Sequence, residues 1–498
     1  MPDFDLLIIG AGAAGLSVAA GAAQLGVRTA RVERDRMGGD CLNFGCVPSK
    51  ALLAAAHTAN AVSGAGRFGL RVPAPDIDWD AVRAHVHSVI AAIAPNDSEA
   101  RFTGLGVTVL RGEARFTGRD SVSVNGQTMT AKRFVIAAGS RAAVPPIPGL
   151  AGIPHWTNAN LFDLTERPDH LLILGGGPIG LEMADAFAGL GSRVTVIEAS
   201  TIASRDDPEL VAGLRLALTR RGITILEGVP VASAGFAPAD SGVAGSGVAG
   251  SSMAGSGMAG SGGSGPVMVL ADGRRIAGSH VLVAAGRLPN LEALNLEAAG
   301  VAVSRLGIVT DAGLRSRENK LVYAVGDIAD PVGIGPRAFT HVGLYHAGIV
   351  IRRALFRLPA RVDYSALPHV TYTDPELAQT GMTEAEAKAA GRAIRILRWP
   401  LSENDRAVAE RDENGLVKLI VSGDRVIGAG ILSPHAGEMI GQWTLAISRK
   451  VPLSALAGLI APYPTRSEAG KRAAGSFFTA RLFSARTKAL VRFLGWLP

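Results

Sequence analysis

Residues 4–35, FDLLIIGAGAAGLSVAAGAAQLGVRTARVERD, decide the fold. An apolar run, LLII, leads into Gly10, Gly12 and Gly15, then an alanine-rich stretch of helical character, then a second apolar run ending at Glu33. Each glycine has a distinct task. The first permits the tight turn, the second lets backbone approach a pyrophosphate, and the third allows a helix to pack closely on its strand. The helix N-terminus then faces the phosphates, and an acid at the end of the second strand accepts hydrogen bonds from a ribose.

One such pattern would be weak evidence, but here it occurs twice. Residues 170–200, HLLILGGGPIGLEMADAFAGLGSRVTVIEAS, repeat the plan with Gly175, Gly177, Gly180 and Glu198. In both copies the acid follows the first glycine by 23 positions. The reading is therefore two dinucleotide-binding units, with a predicted fold class of α/β. Glu198 would repel a 2′-phosphate, which favours NADH and leaves NADPH as the alternative, since Arg193 and Arg205 stand nearby. Residues 6–27 carry no charge and are long enough to span a bilayer, yet LLII followed by GAGAAG reads as strand, turn and helix. RFVIAAGSR (133–141), HVLVAAGRLPN (280–290) and VYAVGDIAD (322–330) read as further short strands returning the chain to its cofactors.

Length and composition bound the rest. A chain of 498 residues exceeds one ordinary core, so about two to four domains are expected. With 48% hydrophobic and 19% charged residues, the chain is predicted to be globular and not disordered. The net charge of +7 suits anionic cofactors, but no run interleaves basic residues with aromatics, so no nucleic-acid partner is expected. The N-terminus has no basic leader, and the expected compartment is the cytoplasm. The only two cysteines lie in GGDCLNFGCVPSK (38–50), at Cys41 and Cys46. A close pair could be a structural staple, half of a metal site or a redox reagent; a reducing compartment favours the last.

With GGDCLNFGCVPSK, AVGD and VTYTDPELAQTGMTEAEAK (370–388), the chain resembles the pyridine nucleotide-disulfide oxidoreductases, which include dihydrolipoamide dehydrogenase, glutathione reductase and mercuric reductase. The resemblance runs from Asp5 to about residue 480. It implies two Rossmann-like FAD/NAD(P)-binding domains plus a C-terminal α+β dimerisation domain, and a homodimer in which the partner completes each active site. The expected divisions are 1–150 and 289–362 for FAD, 151–288 for NAD(P)H, 363–480 for dimerisation, and 481–498 as a basic amphipathic tail. The resemblance also assigns roles. Electrons would pass from NADH through FAD to a Cys41–Cys46 disulfide, with Cys46 beside the flavin and Cys41 exchanging with the acceptor. Lys50 would stand near the flavin, with Glu182 as its ion-pair partner. Gly10, Gly12, Gly15, Glu33, Lys50, Ala114, Gly139, Ser140, Gly326, Asp327 and Thr340 would hold FAD, and Gly175, Gly177, Gly180, Glu198 and Gly286 would hold NAD(P)H. A staple fits poorly, because so short a loop gains little from closure. Two thiols would leave a zinc site half filled, so no resident metal is expected.

Three departures from the family pattern carry information. In APYPTRSEAGKRAA (461–474) Glu468 is present, but the position of the family's acid–base histidine holds Tyr463. A phenol with a reference pKa of about 10 is a poor proton shuttle at neutral pH, where imidazole near about 6.5 is suited to it. A tyrosine there is similar to mercuric reductase, as is the stretch VPPIPGL…PHWTNANL (144–161), yet the chain ends FLGWLP with no cysteine pair. Pro178 stands where some relatives carry a tyrosine that shields the flavin, which leaves the flavin more open to oxygen or quinones. The expected acceptor is a disulfide, a polysulfide or a soft metal ion. The alternatives are dihydrolipoamide dehydrogenase itself and, in another class, a redox-sensing flavoprotein or assembly subunit with little turnover.

Two segments stand outside the pattern. Residues 233–265 form a Gly/Ala/Ser tract read as an expanded, flexible hairpin connection. Residues 482–498, LFSARTKALVRFLGWLP, are basic and apolar without an acid. The expectation is a helix packed on the dimerisation domain; the alternative is a weak contact with a membrane surface.

Overall fold

In the computed structural model, residues 1–236 and 265–497 are described. Most of the Gly/Ala/Ser tract thus lies outside the described residues. Residues 233–236, however, belong to a strand, Val231–Phe236, which pairs antiparallel with Pro266–Leu270. The tract therefore begins later than expected, because Ala234 and Phe236 continue the ladder opposite Met268 and Pro266.

The opening stretch forms the strand Leu6–Ile9, helix α1 (Ala13–Gln24) and the strand Thr29–Glu33. Leu6–Ile9 is the centre of a five-stranded parallel sheet, flanked by Thr29–Glu33 and Thr108–Arg111 on one side and Phe134–Ile136 and Val322–Ala324 on the other. Every side chain of Leu6–Ile9 is buried, as a strand covered on both faces requires. Helix α2 (Cys46–Ser63) follows the cysteine loop.

The second glycine unit builds a separate four-stranded parallel sheet in the order Thr224–Glu227, Arg193–Glu198, His170–Leu174, His280–Val283. Its helix α3 (Pro178–Gly189) packs on α2. The contact is close: a Cβ on Gly189 would meet the Ala56 Cβ at 3.1 Å. Two short antiparallel strands, Ser140–Ala142 and Arg287–Pro289, pair where the chain leaves the first unit and returns to it. Val322–Ala324 then completes the first sheet, and helix α4 (Thr340–Val350) packs on α1.

Residues after 368 form a five-stranded antiparallel sheet, His369–Thr371, Glu376–Gly381, Arg425–Ser433, Leu416–Ser422 and Arg395–Pro400, covered by Ala436–Ser448 and helix α5 (Glu468–Leu482). The α/β class with a C-terminal α+β unit is as expected. The last element, helix α6 (Ala485–Leu494), corrects the sequence reading: none of its residues is buried. α5 packs through the small residues Ala469, Gly470, Ala473 and Ala474, and this pattern stops before α6. No helix of the described residues is long and apolar enough to cross a membrane.

One ionic cluster ties the second unit to the antiparallel sheet. Buried Lys418 Nζ lies 2.8 Å from Asp207 Oδ2, 2.9 Å from Glu209 Oε2 and 2.8 Å from Glu384 Oε2. Lys418→Met would remove the cation the three carboxylates share, leaving Arg398 on Glu209, Lys388 on Glu384 and Asp207 without a lysine partner. The expected cost is about 3 kcal/mol, read as a lower urea midpoint. Hydrogen bonds from Lys388 and then Lys418 hold the Glu384 carboxyl at about 2 against an ordinary 4.5. Its folded pKa being depressed, this stabilisation is complete above about pH 4.5 and is lost as pH falls toward 2. The acid slope of stability should therefore be shallower in Lys418→Met.

Candidate active site

The two glycine turns share one geometry. Gly10 and Gly175 have φ of +109° and +114°, and a Cβ on either would strike a carbonyl oxygen of the next strand, Ala137 O at 2.3 Å or Ala284 O at 2.5 Å. Gly15 and Gly180 sit against the turns themselves, where a Cβ would meet Gly10 O at 2.1 Å and Gly175 O at 2.0 Å. Gly12 and Gly177 instead have open space beside them. That is the cradle a dinucleotide needs: packed behind, bare in front. The acids are held alike. Glu33 Oε2 accepts from Ala11 N at 2.6 Å and Glu198 Oε2 from Gly176 N at 2.7 Å.

Both turns open onto one continuous cleft of about 2900 Å³. Gly10, Gly12, Glu33, Ala114, Gly139, Ser140, Gly326, Asp327 and Thr340 line it, as do Gly175, Gly177, Glu198 and Gly286. Cys41, Cys46, Lys50 and Glu182 lie on its wall between them. Gly15 and Gly180 do not line the cleft but support it from within.

The cysteine loop reaches the cleft by crossing the first turn at backbone contact. Gly38 N donates to Ala11 O at 2.9 Å, and a Cβ on Gly39 would stand 2.7 Å from Gly12 Cα. Gly38 and Gly39 take φ of +86° and +58°, so both need the left-handed freedom of glycine. The cysteines are two free thiols, with Cys46 the first residue of α2. A hydrogen bond from Cys41 draws the Cys46 thiol down to about 6 against a partial desolvation, with Thr340 and then Lys50 adding to the effect. The same hydrogen bond pushes Cys41 up. The helix N-terminus acts in the same direction on Cys46. The pair thus holds one proton, on Cys41, and Cys46 carries the charge at neutral pH.

One turn along α2, Lys50 Nζ lies 2.7 Å from Glu182 Oε2 on α3 and 4.3 Å from the Tyr372 ring centroid. Glu182 Oε1 accepts from Tyr372 N at 3.1 Å. Tyr463 and Glu468 are not among the residues lining the cleft. Tyr463 is 69% exposed on the C-terminal unit, and its hydroxyl donates to Asp405 Oδ2 at 2.9 Å. That bond to a carboxylate pushes the phenol above its ordinary value. Glu468 instead accepts from Arg472 at 2.9 Å.

Three residues not singled out from sequence also shape the site. Arg287 joins its layers: Nη2 lies 3.0 Å from Asp40 Oδ2, and Nε donates to Ser140 Oγ at 2.7 Å, 3.7 Å from Asp327. It stands beside Gly286 in a stretch already read as returning to the cofactor, which was the available signal. Asp40 adjoins Cys41 in the quoted cysteine motif. Buried His346 accepts from Gly326 N on Nδ1 at 3.0 Å, which leaves the proton on Nε2 facing Tyr364 Oη at 2.6 Å. Burial lowers it to about 4, so it is neutral, and no sequence spacing points to it.

The Cys46 environment predicts a pH profile. In the reduced protein the first thiolate of the pair should form as pH rises through about 6, followed by ultraviolet thiolate absorbance. Thr340→Val and Lys50→Met each remove a group that favours the anion, so both should move that midpoint upward.

The family profile described as pyridine nucleotide-disulphide oxidoreductase matches residues 4–351, and that of the family's dimerisation domain matches residues 367–474. A mercuric reductase of Staphylococcus aureus is 33% identical over 95% of this chain and 82% of its own length. A dihydrolipoyl dehydrogenase of Thermus scotoductus is 34% identical over 94% of this chain and 96% of its own length. Among solved structures, the Cu(II) complex of the HOCl-induced flavoprotein disulfide reductase RclA from Escherichia coli is similar, with a TM-score of 0.80 and 27% identity over 94% of this chain and 98% of that one.

Proposed function

The chain belongs to the pyridine nucleotide-disulphide oxidoreductase family, and from that premise we propose that it is an FAD-dependent NADH oxidoreductase whose Cys46 and Cys41 pass electrons to a soft metal ion or an activated sulfur species. The dimerisation domain supports a homodimer. FAD would lie along the first turn, held by the bare backbone at Gly12, by Glu33 and by Asp327; NADH would lie along the second, at Gly177 and Glu198. When bound, FAD supplies a two-electron carrier between the nicotinamide and the thiols. Glu182 orients Lys50 and offsets its charge, and Thr340 with Lys50 holds Cys46 as the anion.

The observation that supports this reading is a thiolate prepared at Cys46 together with a carboxylate-bound phenol, Tyr463, at the position of the family's acid–base histidine. Reducing a disulfide expels a thiolate that must gain a proton, and Tyr463, tied to Asp405 with a raised pKa, is poorly fitted to give one. A divalent soft metal ion displaces the remaining proton of the pair to solvent, is held by two thiolates and needs no proton in return: it takes two electrons, and the two sulfurs join as a disulfide. The similarity to mercuric reductase, and to a reductase solved as a Cu(II) complex, supports a metal-ion acceptor.

Anaerobic NADH consumption with Hg(II), inorganic polysulfide, lipoamide and glutathione disulfide tests the proposal. The wild type should turn over the metal ion or polysulfide and be slow on both organic disulfides. Tyr463→His should raise turnover on an organic disulfide by about a hundredfold, the lower range for a gained general acid. Equal lipoamide turnover by both proteins would instead favour the lipoamide dehydrogenase reading. Coenzyme choice gives a further expectation: Glu198→Gln keeps an acceptor for Gly176 N but removes the charge. It should narrow the preference for NADH over NADPH by about tenfold in kcat/KM, the size of one interaction of about 1.4 kcal/mol.

A further inference from the structure

The charge of this protein is concentrated in one place. Residues 469–498 hold six lysines and arginines and no acid, while the first 468 residues hold 44 basic against 43 acidic side chains. Six of the seven net positive charges therefore sit in the last thirty positions of the sequence. They are carried by α5, where Arg472 is paired with Glu468 of the first turn, and by α6, whose residues are all unburied.

The orientation of α6 is set by its cap and not by a packed core. Ser484 Oγ accepts from Thr487 N at 3.2 Å, and Thr487 Oγ1 donates back to Arg481 O at 2.9 Å. At about 100° per residue, Leu490, Phe493 and Leu494 fall within one apolar arc, while Lys488 and Arg492 lie on the far side. Arg486 starts the apolar stripe one turn earlier, and its long stem can lie along that face with its charge outward. Beyond the helix, Trp496 is 89% exposed.

We propose that α6 and the turn before it dock on an anionic lipid surface, lying in the interface with Leu490, Phe493, Leu494 and Trp496 inward and the cations among the headgroups. Charge complementarity commits the surface to this occupant. A second copy that met it α6 to α6 across a two-fold axis would bring the same acid-free segment to the contact and be repelled, and a seat for α6 on another face of the partner is the outcome that truncation detects. The helix has ten residues, too short to span a bilayer, so it lies on the membrane and does not cross it.

Flotation of the full-length holoenzyme with phosphatidylcholine vesicles, with and without phosphatidylglycerol, tests this. The protein should float only with the anionic lipid, and salt should release it. Replacing Arg486, Lys488 and Arg492 together by Gln should weaken binding by about a hundredfold, at about fivefold per charge. A chain ending at Phe483 should remain unbound, with its flavin content and dimer mass unchanged. The proposal is overturned if the full-length protein fails to float with the anionic lipid, if pure phosphatidylcholine binds it equally, or if the triple variant floats like the wild type. Loss of the dimer on truncation, seen by light scattering, would overturn it as well, because α6 would then be a subunit contact.

Discussion

The pair between Lys50 and Glu182 is the junction on which the site depends. Lys50 belongs to the helix that starts with a cysteine, and Glu182 to the helix that starts at the second glycine turn. Their contact at 2.7 Å fixes one helix against the other. Glu182 is buried, so its charge requires both Lys50 and the Tyr372 backbone N–H of the C-terminal unit. Three parts of the chain, more than a hundred residues apart in sequence, thus converge on one carboxylate.

That junction explains why α2 and α3 pack so closely. Gly189 lies against Ala56 and Asn60, and small residues along both helices allow the approach. Farther along the same two helices, His57 of α2 stands 3.4 Å from buried Asp185 of α3, which also pairs with Arg221. The interface is therefore ionic at intervals and apolar between them, and so specifies a register as well as burying surface. At its cleft end it holds the thiol pair between the two glycine turns, with Thr340 of α4 reaching Cys46 from the opposite wall at 3.3 Å.

The two ends of the proposed electron path differ in how they are built. Around Cys46 a hydrogen-bond donor in Cys41, a hydroxyl in Thr340, a cation in Lys50 and a helix N-terminus favour the anion and outweigh desolvation and the Glu182 carboxylate. Around Tyr463 the polar partner is a carboxylate, which retains the phenolic proton. The thiolate is ready to donate electrons through sulfur, and the phenol is poorly fitted to send a proton after them. The neutral His346 beneath Gly326 is not a substitute, since one nitrogen is engaged by backbone N–H and the other faces Tyr364 within the interior.

Local sequence determined the elements whose shape is a local matter. Two glycine turns at matched spacing, each closed by an acid, follow from backbone sterics and strand length alone, and residues 4–35 and 170–200 fold as their patterns indicate. The adjacency of Cys41 and Cys46 to Lys50 was legible for the same reason, since a helix sets its own spacing. Only the tertiary structure decided what meets across the cleft. That Gly39 crosses Gly12, that Arg287 joins Asp40 to Ser140, and that His346 caps Gly326 depend on contacts between segments with no fixed sequence separation. The state of α6 was decided there too: amphipathic spacing shows that a helix has an apolar face, but burial depends on whether another surface of the fold lies within reach, and among the described residues none covers it.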